Sequence, residues 1–205
     1  MDILGINSGG DNVYIKHCST NKCWKVGDEA LDNVVHILID PATIQTGWGI
    51  YEGAYSWEWD ERPGLSKGQP TPDHKRAFSV WMYIPEHGSK LWRRFSWGES
   101  QGFNKMCAMF WNEIKANPGK VVYVKYTGAK VEKFKVGQAA IPEFEFVKWA
   151  DKPADFVATN VDAISAPVAN NSNDFSFAME NQTPESGDPR FDPAAKPLTE
   201  DELPF

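Results

Sequence analysis

The sequence predicts a mainly β body over residues 1–151 with a single inserted helix, followed by a disordered acidic tail over residues 152–205. Three observations predict it. Apolar residues alternate with period two through most of the body, one stretch switches to a 3/4 period, and composition breaks sharply near Trp149. Residues 1–150 carry 18 Lys and Arg against 17 Asp and Glu, whereas residues 151–205 carry 3 against 11. The tail therefore holds nearly all of the net charge of −7, and the pI near 5.1 says little about the face the body presents. All nine tryptophans lie between Trp24 and Trp149, enough to fill a core and still leave rings for a ligand.

The elements follow in order. Val34 to Asp40 is a β-branched run that stops at Pro41. Ile44 to Trp59, punctuated by Gly47, Gly49 and Gly53, reads as a bent strand or a strand pair with bulges. Pro63 to Pro72 is a loop. Ala77 to Ile84 alternates cleanly, and Pro85 to Ser89 turns it into a second strand from Lys90 to Trp97. Ser100 then caps a helix over 101–117, with Phe103, Met106, Cys107, Phe110, Trp111 and Ile114 on one face, and Asn117-Pro118-Gly119 ends it. Lys120 to Thr127 alternates again, a basic hairpin-like stretch runs to Val136, and Phe144 to Trp149 is the last strand. A helix between the third and fourth main strands is the order of an OB-fold-like five-stranded barrel, here with extra strands and loops. Beyond residue 151, the Ala, Asn, Ser, Asp and Pro content offers too little apolar material to offset ordering entropy, apart from spots such as Phe175 and Phe177.

Aromatic residues mark the candidate site. Phe78, Val80, Met82 and Ile84 form one face of their strand, a core set, which leaves Trp81 and Tyr83 on the other. In the next strand Leu91 and Phe95 read as core, which directs Trp92 and Arg94 to the side of Trp81 and Tyr83, with Arg93 on the opposite side as a further candidate. Guanidinium groups reach phosphates and rings stack on bases, so interleaved Arg and Trp suit a nucleic-acid strand. Each of these rings has a bland alternative, burial under a loop or the helix. Tyr55, Trp57 and Trp59 make a third alternating set, although Glu58, Asp60 and Glu61 flank it and set phosphate contact against core packing. Tyr123 and Lys125 extend the basic stretch Lys120 to Lys135, which reads equally as a solvated face.

Other chemistry finds little support. Cys18, Cys23 and Cys107 are an odd count without framework spacing, which fits a reducing compartment. His17-Cys18 with Cys23 resembles half a zinc site but lacks a second ligand pair, so no metal or other cofactor is expected. No phosphate-binding loop or nucleophile motif is present, and the expectation is a binding protein, not an enzyme. The N-terminus lacks a signal-peptide pattern and no apolar run is long enough for a membrane helix, so a cytoplasmic location is expected.

The chain ends Thr199-Glu200-Asp201-Glu202-Leu203-Pro204-Phe205. This tip, after an OB-like body and an acidic tail, resembles the ends of bacterial and phage single-stranded DNA-binding proteins. The body's insertions and extra N-terminal region depart from the common bacterial type, so its tetramer is not carried over; a phage or prophage protein fits better, and if it forms a homo-oligomer a dimer is favoured over a tetramer. The resemblance implies coating of single-stranded DNA in replication, recombination and repair. It also implies recruitment of partner proteins through the tip, and competition of the tail with DNA. In such tips Phe205 enters an apolar pocket with its carboxylate against an Arg, Asp201 and Glu202 face a basic rim, Leu203 belongs to the apolar end, and Pro204 limits the entropy lost on binding. The competing expectation is an interaction protein that presents the tip to a host replication protein without binding DNA.

Overall fold

The structure, a computed structural model, describes residues 13–135 and 137–158. The chain is mainly β, with strands β1 (Tyr14–Cys18), β2 (Cys23–Val26), β3 (Glu29–Ala30), β4 (His36–Ile39), β5 (Gln45–Tyr51), β6 (Tyr55–Trp59), β7 (Lys75–Ile84) and β8 (Gly88–Arg94) before the α-helix α1 (Trp97–Ala108). The strands β9 (Lys120–Phe134) and β10 (Gly137–Asp151) follow it. Short 3-10 turns occupy Pro41–Thr43 and Trp111–Ala116. The strands form one open sheet, ordered β10-β9-β4-β7-β8-β1-β2-β3, with β5 and β6 branching from β7.

The branch has a local cause. Pro41 cannot donate to a ladder, and the Asp40 carboxylate instead accepts from the backbone of Ala42, turning the chain for one 3-10 turn. The strand then resumes as β5. Both pieces lie along β7, with Leu38 and Ile39 opposite Tyr83 and Met82, and Gln45 to Gly49 opposite Ser79 to Lys75. β4 and β5 thus act as one bent strand that also meets β9.

The pairs around Gly53 and around residues 85–89 are present. The stretch expected to be hairpin-like up to Val136 instead continues the strand β9 to Phe134, the last strand is longer than expected, and the helix is displaced. It begins after Ser96 instead of Ser100 and gives way to the second 3-10 turn instead of running to residue 117. Ser96 and Glu99 have capping-box spacing, but Ser96 Oγ donates to the Glu99 carboxylate (2.6 Å). That buried carboxylate also accepts from the His17 backbone (2.8 Å) and the Trp92 indole (3.0 Å), tying β1, β8 and α1 together. Gly98 allows the approach of α1 to β10, because a Cβ there would lie 2.6 Å from the Ala140 carbonyl oxygen.

Phe103, Met106, Cys107 and Phe110 from the helical region pack on the sheet face bearing Phe78, Val80, Met82, Trp92 and Trp24. Trp92 is fully buried there, in edge contact with Phe78 (4.7 Å) and Trp24 (5.1 Å). This overturns the expectation that Trp92 and Arg94 share a side with Trp81. The turn after β7 sets Ile84 opposite Gly88, so Val80 faces Trp92 and Phe78 faces Arg94, while Trp81 pairs with Leu91 and Ser79 with Arg93. The error came from taking Leu91 as main core. It belongs instead to a second cluster on the reverse face, with Trp81, Val121 and Phe156. Arg94 sits beside Glu99 (3.5 Å) and Arg93 takes the reverse face.

Candidate nucleic-acid interface

The reverse face divides into two halves. The first is built on the β5–β6 hairpin. Alternation on β6 sends Tyr55, Trp57 and Trp59 to one side, opposite Tyr51, Gly49 and Gly47. Neither glycine carries a side chain, so the indoles lie over the β5 backbone. A Cβ on Gly49 would come within 2.8 Å of both Trp57 and Phe95. Trp57 and Trp59 stack with centroids 5.7 Å apart and planes 3° from parallel, and Tyr55 continues the stack 5.7 Å from Trp57. Phe95 closes one flank, 5.7 Å from Trp57. The Arg93 guanidinium lies over Trp59 (5.2 Å) and Trp57 (5.7 Å), a cation–π arrangement, with Nε donating to Ser79 Oγ (3.4 Å). Tyr51 and Tyr55 are 60% and 55% exposed, so the stack opens to solvent at the hairpin tip.

Two of the acids that flank this set in sequence, Glu58 and Asp60, do not share its face. Glu58 is opposite Trp48 and Arg76, on the other side of the hairpin. Asp60 is bound there to Arg76 (2.7 Å), Thr46 (2.6 Å) and the Lys67 backbone (3.0 Å). Burial pushes the Asp60 carboxyl upward, and those hydrogen bonds with the Arg76 charge outweigh it, leaving it below the usual carboxylate range. Period-two geometry thus turns Glu58 and Asp60 away from the aromatic set. Lys75, exposed, shares the row of Gly49 and Trp57.

The second half carries Trp81, Tyr83, Tyr123 and Lys125, in rows that run from Ser89 through Tyr83 and Leu38 to Tyr123. Trp81 and Tyr83 point to the expected side but are covered. Residues 152–158, expected to be disordered, lie on this face. Phe156 is buried against Trp81 and sits 5.7 Å from the Tyr83 ring. Tyr83 Oη donates to Asp155, the Val157 backbone donates to Ser89 Oγ (2.9 Å), and Lys152 pairs with Asp40 (2.7 Å). The hydrogen bond to Asp155, with the carboxylate charge beside it, raises the Tyr83 phenol above its ordinary range. Tyr123 is half-buried with its hydroxyl on His36 Nδ1, and Lys125 is exposed beside it.

Of the residues singled out by sequence, the structure therefore brings together Trp57, Trp59 and Arg93, covers Trp81 and Tyr83, leaves Tyr123 and Lys125 at the rim, and buries Trp92. Sequence reading missed Phe95 as a flank of the stack, Gly47 and Gly49 as its floor, and Phe156 as a cover. Two glycines at i and i+2 on a strand that pairs with alternating aromatics are the signal that marks such a floor. The half zinc site also separates. His17 faces the core, with Nε2 bonded to Tyr126 Oη (2.8 Å), whereas Cys18, one residue on, faces the opposite side of the strand. Burial lowers the His17 pKa to about 4 and pushes Tyr126 up to about 12, the Cys23 charge adding to the latter. Among the described residues no three His, Cys, Asp or Glu side chains converge as a metal site, and no helix is long and apolar enough to cross a membrane. The tip Asp201 to Phe205, with Phe175 and Phe177, lies outside the described residues.

Compared with family models, curated proteins and solved structures, the chain matches none.

Proposed function

We propose that this protein binds single-stranded DNA along the uncovered half of the reverse sheet face, without strong sequence preference. One observation carries the reading. Three parallel aromatic rings, exposed Tyr55 and half-buried Trp57 and Trp59, line one side of an outer hairpin with Arg93 against them, while Glu58 and Asp60 face away. Bases of any identity stack on such rings at about 1–3 kcal/mol each. Lys75, exposed on the same row, supplies positive charge for the phosphates, while the buried Arg93 holds the indoles from beneath.

The strand order adds support for an OB-fold-like body. A bent first strand (β4 with β5) is flanked by β7 on one side and β9 on the other, and α1 connects β8 to β9. In a closed barrel of that type β8 would meet β10. Here β8 pairs instead with β1, in parallel, and the N-terminal hairpin stands in the closing position. The reverse face of the second and third main strands, which carries Arg93 and adjoins the β5–β6 hairpin, is the face such barrels use for oligonucleotides. The acidic tail and its tip Asp201-Glu202-Leu203-Pro204-Phe205 are proposed to bring replication and repair proteins to the coated strand.

Titration of the full-length protein with oligo-dT at low salt tests the reading. Saturable quenching of tryptophan fluorescence, weakened by added salt, is expected. Absence of quenching and of any anisotropy change at low salt would overturn it and leave the tip-only interaction protein in its place.

A further inference from the structure

Two thiols meet on the outer side of the N-terminal hairpin. β1 and β2 are joined by a four-residue turn, Ser19 to Lys22, with the Lys22 backbone donating to the Cys18 carbonyl (2.8 Å) and Lys22 at φ 52°. Cys18 and Cys23 are direct cross-strand partners across that turn. The next exposed pair on the same side is Lys16 opposite Lys25, whereas the pair between them, His17 and Trp24, faces the core. Directly opposed residues of an antiparallel pair have Cα atoms about 4.5–5.5 Å apart. A disulfide spans Cα atoms about 4.4–6.8 Å apart, and directly opposed residues of either kind fall in that range.

The surroundings favour the reactive form of one thiol. A hydrogen bond from the Asn21 backbone N–H lowers the Cys18 thiol most; burial, the next-largest influence, raises it, and the Thr20 N–H with the charges of Lys25 and Lys16 leaves it below its ordinary range. Both sulfur-bearing residues are half-exposed. The third cysteine offers a contrast within the same chain. Cys107 is sealed under the helix at 1% exposure, and burial pushes its thiol well above the usual range. Thiolate character and access together decide which cysteines react.

We propose that Cys18 and Cys23 form a dithiol–disulfide site, oxidised by hydrogen peroxide, that staples the β1–β2 hairpin. The Cys18 thiolate attacks one peroxide oxygen, the O–O bond breaks, and hydroxide leaves to give a sulfenic acid on Cys18. Cys23 then attacks the Cys18 sulfur, the S–S bond forms, and the S–O bond breaks with loss of the second oxygen as water. Two thiols and one peroxide become one disulfide and two waters. The loop closed is short, so little global stability is gained and the change is local to the hairpin. The site stands apart from the aromatic stack and does not rest on the DNA-binding reading.

The test uses the full-length chain. Protein treated with hydrogen peroxide is unfolded, alkylated and weighed intact. The expected product has lost two hydrogens, offers one alkylatable thiol instead of three, yields a Cys18–Cys23 linked peptide, and returns to three thiols with dithiothreitol. Cys23→Ser is expected to stop at a Cys18 sulfenic acid that dimedone traps, and Cys18→Ser to react several-fold more slowly than the unsubstituted chain. Three free thiols after treatment, a bond involving Cys107, or a bond only between chains would each overturn the proposal. The wild-type mass decides the matter even where a variant folds poorly.

Discussion

The two halves of the reverse sheet face start from the same kind of sequence and end in opposite states. Tyr55-x-Trp57-x-Trp59 and Trp81-x-Tyr83 are both alternating aromatics on strands whose other side is committed elsewhere. On β6 the rings remain half-exposed because they sit on the outermost strand of the branch and, among the described residues, their one strand neighbour, β5, offers Gly47 and Gly49 instead of side chains. On β7 the rings lie mid-sheet, with Leu91, Leu38 and Val121 around them, and Phe156 completes the cover. The difference teaches that alternation fixes which way a ring points, while position in the sheet and what arrives later in the chain decide whether it stays open.

The largest effect should separate the halves by stability. Phe156→Ala removes a buried ring from the small cluster over Trp81 and should cost about 3 kcal/mol. Denaturant unfolding reads this as a lower midpoint with the slope retained. Oligonucleotide affinity of the folded variant should stay within about twofold; a tenfold loss would mean the covered half takes part directly. Trp57→Ala should do the reverse. Loss of one stacking ring is worth about 1–3 kcal/mol of binding, roughly a ten- to hundredfold weaker Kd for oligo-dT at fixed salt. Its stability should change less than that of Phe156→Ala, because the ring is only half-buried. Equal affinity for Trp57→Ala and the unsubstituted protein would remove the stack from the interface.

A smaller effect sharpens the electrostatic side of the comparison. If Lys75 lies beside a phosphate on the open half, Lys75→Gln should flatten the plot of log affinity against log salt by about 0.7. An unchanged slope would place the backbone elsewhere. Acid should expose the interior of both variants and wild type alike through His17. Its folded pKa, near 4, lies below the ordinary 6.5 because burial disfavours the imidazolium. The unfolded state then binds more protons between these values, so stability is full above about pH 6.5 and declines as pH falls toward about 4. His17→Gln should remove that part of the slope in urea midpoints measured against pH; a slope that persists undiminished would assign it to carboxylates.

Much of the architecture was legible because period and punctuation are local. The loop at 63–72 and the strand pair around Gly53 follow from alternation and turn residues, whereas the final hairpin of two 15-residue strands reads in sequence only as shorter pieces, 120–127 and 144–149. The helix start was misread because Ser96 and Ser100 both resemble caps, and the choice turned on Glu99, whose carboxylate is claimed by His17 and Trp92 from distant strands. The site was half legible. Trp57, Trp59 and Arg93 are named by composition and spacing, but the register of β7 against β8, which moves Trp92 into the core and Arg93 out of it, is set by a turn whose length alone does not declare which Leu is core. The cover at 152–158 was invisible to composition, since one Phe and one Asp in a polar segment weigh nothing until Tyr83, Ser89 and Trp81 are placed to receive them.

The smallest expected effect tests whether that segment stays docked in solution. Tyr83 donates to the Asp155 carboxylate, and ionising the phenol would both break the bond and set two negative charges side by side. The phenol therefore titrates above the ordinary tyrosine range only while residue 155 is docked. Asp155→Asn keeps an acceptor but removes the charge, so the Tyr83 titration, followed by phenolate absorbance or ring NMR shifts, should move back toward the ordinary value. DNA affinity is expected to stay unchanged, because the open half contains neither residue. A Tyr83 that titrates normally in the unsubstituted chain would mean the segment leaves the sheet in solution. Trp81 would then be as open as Trp57, and the distinction between the two halves would vanish.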